Sequence, residues 1–342
     1  MVDQELSDLV CQIIEGKGCC SSLEREIENT LIETSGPITE KDEIVNVALP
    51  GGKVSEYLLT DEYETRVIDR KFGYYPDPRV LIPQTQNMDV YDDDMFVCAY
   101  PKCGTHWVWE MCQMLVKGEA AYHQKAKESC MMEFHLPEDY KDLQRPRIFN
   151  THFTPRCLPT KTRDKKCKMI LILRNPKDIF TSLYHHILVT KSMDQNFDFS
   201  QFLQYTFENN RDVSSNWFYY NKRWAEFVSS TDQPVLILNY EDLKTNLIEC
   251  LSEIGQFIGY PRDLELLKEI EDKCTVSKMR EIEKRRDSGT EVSTGERISN
   301  LYRKGVIGDW KNHFTVADNE RFDAFLKENM EEKHSLQTFK QK

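Results

Sequence analysis

A charge-free run, Met95-Phe96-Val97-Cys98-Ala99-Tyr100, passes through Pro101-Lys102-Cys103-Gly104-Thr105-His106-Trp107 into residues 108–116, where the apolar spacing is helical. A buried strand that turns at once into a helix leaves the chain few alternatives. The first-turn N–H groups of the helix point back into the loop, and a lysine beside them makes the corner a cradle for phosphate or sulfate. The order is not GxxxxGK[ST], because the lysine precedes the only glycine, which disfavours ordinary phosphate-loop nucleotide hydrolysis. Glycine and lysine are also common at turns that bind nothing, so the corner gains meaning from the rest of the chain.

The same unit recurs. Met169-Ile170-Leu171-Ile172-Leu173 is a continuous apolar run that stops at Arg174, as a central strand buried on both faces would. Asn175-Pro176-Lys177-Asp178 then supplies an N-cap, a proline at N1 and an acid at N3. A third run, Val235-Leu236-Ile237-Leu238, is expected as another buried strand. It leads through Tyr240-Glu241-Asp242 to Leu243, Leu247, Leu251, Ile254 and Ile258 at helical spacing, closed by Gly259 and Pro261. Arg147-Ile148-Phe149-Asn150-Thr151 reads as a short strand that places His152 at its end, the edge where open α/β sheets bind ligands. This repetition specifies an α/β fold: a single domain with a central parallel β-sheet flanked by helices, carrying a P-loop-like strand-loop-helix.

The remainder is less regular. Residues 1–45 are polar and acidic with weak helical patterns and read as an N-terminal extension, helical or partly disordered, ahead of a domain spanning 46–342. Pro50-Gly51-Gly52-Lys53 between two β-rich runs reads as a hairpin. Met131, Met132, Phe134 and Leu136 are assigned to core ahead of pocket, and residues 197–229 to two aromatic-rich helices. Residues 285–308 lack a regular pattern, as a lid or a disordered segment does. Thr315-Val316-Ala317-Asp318 caps the last helix.

Composition excludes several classes. The 342 residues contain no apolar run of membrane-spanning length, and the start, Met1-Val2-Asp3-Gln4-Glu5, lacks a signal-peptide pattern, so a cytoplasmic location is expected. Eleven cysteines without a CxxC pair argue against zinc and against a disulfide framework, and no metal is expected. A net charge of −12 argues against nucleic acid or an anionic membrane as partner, while leaving room for one local basic site.

Four segments together resemble the cytosolic sulfotransferase family, which uses 3′-phosphoadenosine 5′-phosphosulfate (PAPS). They are Tyr100 to Trp107, Arg174-Asn175-Pro176-Lys177-Asp178 with Ser182, Tyr240-Glu241-Asp242, and Arg303-Lys304-Gly305 running on through Gly308-Asp309-Trp310-Lys311-Asn312. They stand in family order over roughly residues 60–335. The resemblance implies in-line sulfuryl transfer to a small, mostly apolar acceptor, an alcohol, a phenol or a steroid-like molecule, through a hydroxyl or amine, with PAP as product. It implies that Lys102 and the N–H groups of Cys103, Gly104, Thr105, His106 and Trp107 hold the 5′-phosphosulfate. Trp107 and Tyr240 would contact the adenine region. Arg174, Ser182, Arg303, Lys304 and Gly305 would hold the 3′-phosphate, with Thr275 and Ser277 nearby. His152 matches the catalytic base, and Lys102 would stabilise charge on the bridging oxygen. Lys311, Thr315, Val316 and Glu320 match a pattern through which the family forms homodimers.

Three residues depart from the family. Cys103 and His106 stand where many members have serine and threonine, and Asn150 where phenol-sulfating members usually have lysine. A helix N-terminus beside Lys102 would lower the Cys103 pKa, the second reading of that residue. Asn150 favours the alternative function, a catalytically weak nucleotide-binding relative.

Overall fold

The computed structural model describes residues 43–49, 53–59, 65–67, 76–189, 197–208, 217–287 and 303–332. Nearly all of the N-terminal extension, and residues 288–302 of the irregular stretch, lie outside the described residues. Strands β1 (Glu43–Leu49) and β2 (Lys53–Leu59) pair antiparallel with Glu43 opposite Leu59, and β3 (Thr65–Val67) adds to β2. This is the expected hairpin.

The main body follows in chain order as α1 (Pro78–Gln86), β4 (Met95–Ala99), α2 (Thr105–Lys117), β5 (Ile148–Thr151), β6 (Lys168–Leu173), α3 (Pro176–Val189), α4 (Phe199–Glu208), α5 (Trp217–Ser230), β7 (Val235–Asn239), α6 (Tyr240–Thr245), α7 (Leu247–Ile258), α8 (Leu264–Lys273), α9 (Val276–Asp287) and α10 (Val316–Glu332). Strands β4 to β7 form one all-parallel sheet in the order β5-β4-β6-β7. Parallel neighbours need crossovers, and the intervening helices supply them. The α/β reading is therefore met.

Strands β4 and β5 are buried at every residue, and β6 at all but Lys168. The run Val235-Leu236-Ile237-Leu238, expected to be fully buried, is half-buried except at Leu238; β7 ends the sheet on one side, and β5, which ends it on the other, is covered by the segment whose Met131 bridges to Asn150. The helical set from Leu243 to Ile258 is two helices, α6 and α7, meeting at Asn246, and Gly259 closes the second with φ 91°.

Two tryptophans tie helices to the strand that carries His152. Trp109 of α2 donates its indole N–H to the Ile148 carbonyl at 2.8 Å, and Trp224 of α5 donates to the Phe153 carbonyl at 3.3 Å. At the N-terminal edge of the sheet Arg147 donates to the buried Asp94 at 2.8 Å, joining the starts of β4 and β5. Among the described residues no helix is long and apolar enough to cross a membrane.

Candidate active site

The loop after β4 reverses through two left-handed residues, Lys102 at φ 72° and Gly104 at φ 104°. A side-chain-bearing residue in that region costs roughly 1–2 kcal/mol, so the strain at Lys102 is held by its surroundings. Gly104 is the N-cap of α2 and makes no side-chain cap, so the first turn opens toward the loop. A Cβ at Gly104 would come within 3.0 Å of the Tyr240 ring.

Residues from the ends of β6 and β7 close around this loop. Arg174 donates to the Lys102 carbonyl at 2.7 Å and lies 4.3 Å from the centre of the Tyr240 ring. Trp107 meets Tyr240 edge to face at 5.8 Å. Gly305, at φ 64°, approaches Val276 so closely that a Cβ there would sit 2.4 Å from a Val276 methyl and 3.8 Å from the Tyr240 hydroxyl. Thr275 and Ser277 flank Val276 with their hydroxyls 3.4 Å apart. The buried Asp178 pins the 303–310 segment to α3 by accepting from the Gly308 N–H at 2.7 Å and the Trp310 N–H at 3.1 Å. Ser182 is half-buried one turn further along α3. Both Arg303 and Lys304 pair with Asp309, Lys304 at 2.8 Å.

The β5 side carries the second half of the site. His152 Nδ1 lies 2.6 Å from the Ala99 carbonyl. A carbonyl can only accept, so Nδ1 holds the proton and Nε2 keeps its lone pair. The His152 N–H and the Thr151 hydroxyl both donate to Glu133 Oε1, at 2.5 and 2.7 Å. Asn150 is wholly buried, and its Nδ2 donates to the Lys127 carbonyl at 2.9 Å. Lys127, only 2% exposed, directs its ammonium to the Thr105 hydroxyl at 3.2 Å. His106 Nε2 is 2.7 Å from Glu128 Oε1. Lys127, Glu128 and Glu133 belong to no motif. Their one signal is a lysine and two acids set around Cys130, Met131 and Met132 in Lys127-Glu128-Ser129-Cys130-Met131-Met132-Glu133-Phe134.

The field of this site is positive. Burial brings the Lys102 ammonium down to about 7, with Arg174, Lys127 and Arg303 pressing in the same direction. Burial and then the Lys127 charge lower His152 to about 3, against the Ala99 hydrogen bond that raises it. His106 falls to about 4 for the same two causes, partly offset by Glu128. Burial pushes the Cys103 thiol up, more strongly than Arg174 lowers it. The activated-thiol reading of Cys103 is thereby overturned, since a thiol 1% exposed gains more from staying neutral than it would from the helix end. Among the described residues, Trp107 Nε1, Arg174 Nε and Arg303 Nε are buried without an acceptor. Buried donors left so cost about 1–3 kcal/mol each, a cost that a ligand with several anionic oxygens relieves.

The family model for the sulfotransferase domain matches residues 92–334. The chain belongs to the sulfotransferase family. Human sulfotransferase 1C2 is 32% identical over 259 residues, covering 72% of this chain and 86% of its own. Bovine sulfotransferase 1E1 is 31% identical over 283 residues, covering 76% and 92%. Mouse sulfotransferase SULT7A1, crystallised with PAP, superposes with a TM-score of 0.59 at 25% identity, over 73% of this chain and 89% of that one. Retinol dehydratase in complex with androsterone and inactive cofactor PAP shares the fold at a TM-score of 0.59 and 15% identity, over 91% and 94%. As a sulfotransferase-family member the chain is an enzyme, and its matched region contains Lys102, His152, Arg174 and Arg303 alike.

Proposed function

We propose that this enzyme moves a sulfuryl group from PAPS to a hydroxyl or amine of a small, mostly apolar acceptor and releases PAP. The observation that carries the reading is the fixed tautomer of His152. Its Nδ1 proton is committed to Ala99, which leaves Nε2 to take the acceptor's proton at the sheet edge beside the strained loop. The donor supplies an activated sulfuryl group: the acceptor oxygen bonds to sulfur as the bond to the bridging phosphate oxygen breaks. Lys102 would hold the charge that develops on that oxygen. The N–H groups of residues 103–107 would hold the phosphosulfate, and Trp107 with Tyr240 the adenine. The orphaned donors of Arg174 and Arg303, with Lys304, Gly305, Ser182, Thr275 and Ser277, would serve the 3′-phosphate.

One observation favours the second reading, a nucleotide-binding relative with little turnover: at about 3, the His152 imidazole is a weak base in the donor-free site. The shift comes from burial and from neighbouring cations, and a bound polyanion offsets the second cause. Wild-type protein with sulfur-labelled PAPS and a panel of phenols, alcohols, steroids and amines separates the two. Labelled product is expected with at least one acceptor class. His152→Ala should lose about 10²–10⁴-fold in turnover while binding PAP normally. Near-normal turnover in that variant would remove His152 from the mechanism.

The same reading places a catalytic domain at 46–342 behind an extension at 1–45, and a homodimer contact at Lys311, Thr315, Val316 and Glu320. Support for the contact comes from exposure: Val316, at the start of α10, is 77% exposed, and the three polar residues are exposed beside it.

A further inference from the structure

Lys127 is buried, 2% exposed, between the loop after β4 and the end of β5. Among the described residues its Nζ hydrogen-bonds the Thr105 hydroxyl at 3.2 Å and the Met131 sulfur at 3.8 Å, and no carboxylate forms an ion pair with it. Burial lowers its pKa against the pull of Glu128, Glu133 and Glu283, none of which pairs with it directly, so the ammonium has room for a counter-charge in contact. Its position says where. The backbone of Lys127 is held by Asn150, two residues before His152 on the same chain. Its ammonium reaches Thr105, the first residue of α2 in the phosphate-cradle loop. Lys127 thus bridges the loop and the strand end that carries the base. It is also the foremost charge acting on both His152 and His106.

We propose that the Lys127 ammonium binds the sulfuryl end of the donor, between the loop and His152, and is a catalytic residue of the transfer. This rests on the PAPS reading above. It gives Lys127 a task distinct from that of Lys102. Lys102 faces the bridging oxygen, common to PAPS and to the spent nucleotide as a phosphate oxygen, whereas Lys127 faces the part that PAP lacks. The site then prefers loaded donor to spent product because a buried cation is neutralised only by the former.

The test uses Lys127→Met, which keeps the shape and removes the charge, with Lys127→Arg as the charged control. Three readouts are taken: PAP affinity, the ratio of PAPS to PAP affinity, and kcat. Lys127→Met should bind PAP within threefold of wild type, lose the preference for PAPS, and fall by about 10²-fold in kcat. Lys127→Arg should keep part of both. The ligand-free melting temperature of Lys127→Met should equal or exceed that of wild type, because burial costs this charge more than Glu128, Glu133 and Glu283, which do not touch it, return. A lysine with a structural role would give the reverse, a lower melting temperature and a PAP affinity that falls together with the rate. That result, failure of Lys127→Met to fold, or a kcat within threefold of wild type would overturn the proposal. The binding ratio also separates this inference from the reading it rests on. If wild-type protein transfers no sulfur but still prefers PAPS to PAP through Lys127, the catalytic reading fails while the subsite stands.

Discussion

Near pH 8 the Lys102 amine, lowered to about 7 by burial and by Arg174, Lys127 and Arg303, is mostly uncharged in the donor-free site. An anion favours the ammonium, so binding must draw a proton from solution. Calorimetric titration of PAP in two buffers of different ionisation enthalpy should show uptake approaching one proton at pH 8. The sign follows from the lowered value: below 7 the lysine is already charged before binding, so uptake should fade by about pH 6. Lys102→Met should abolish it. The histidines at about 3 and 4 stay neutral across this window and add little. At this scale the sequence announced Lys102, His152 and Arg174, because motif position and strand ends mark them. It was silent on Lys127 and Glu133, which come from a 3₁₀ turn and the segment after it and meet β5 only in the folded chain. It left the activated thiol at Cys103 open as a second reading, since a neighbouring charge is legible in a sequence and the degree of burial is not.

Strand-to-helix corners set the precision of the site, and two glycines allow their effect to be isolated. Gly104 and Gly118 both lie in the left-handed region, at φ 104° and 74°, at the two ends of α2. Alanine at either should cost roughly 1 kcal/mol or more of stability. At Gly104 the new methyl also presses on the Tyr240 ring at 3.0 Å, whereas at Gly118 it meets the Arg262 guanidinium at 3.2 Å, away from the loop. Gly104→Ala should therefore weaken PAP binding several-fold beyond its loss of stability, and Gly118→Ala should lose stability alone. Thermal melts paired with PAP titrations decide it, and equal affinity losses in both would show that the Gly104–Tyr240 contact is irrelevant to the nucleotide. The strands and most of the helix starts at this scale were legible, since apolar runs and capping residues are local. The partial exposure of β7 was not, because an edge strand is buried only where another segment covers it, as the Met131 bridge covers β5.

For the whole molecule the proposed dimer contact is the feature most open to test. Val316 is a large apolar side chain left 77% exposed, while the capping pair beneath it is complete: the Asp318 N–H donates to the Thr315 hydroxyl at 3.0 Å, and the Thr315 N–H to Asp318 Oδ2 at 3.2 Å. Val316→Glu leaves that cap intact and places a charge at the apolar contact. Sedimentation should show a dimer for wild type and a monomer for the variant, with unchanged melting by circular dichroism. A wild-type monomer, or a variant that still dimerises, would dismiss the contact.

Arg303 and Lys304 reach Asp309 within their own segment, and this has a kinetic corollary if they hold the nucleotide's 3′-phosphate. Asp309 is then an internal rival to the ligand, ready to reclaim both cations the moment the phosphate lifts away. Departure of spent nucleotide leaves no bare charge behind, so the barrier to emptying the site is lower than the number of contacts implies. Such an arrangement trades tight holding for rapid exchange, and Asp309→Asn should convert a quick-release enzyme into a slow one, visible as a smaller PAP dissociation rate in stopped flow.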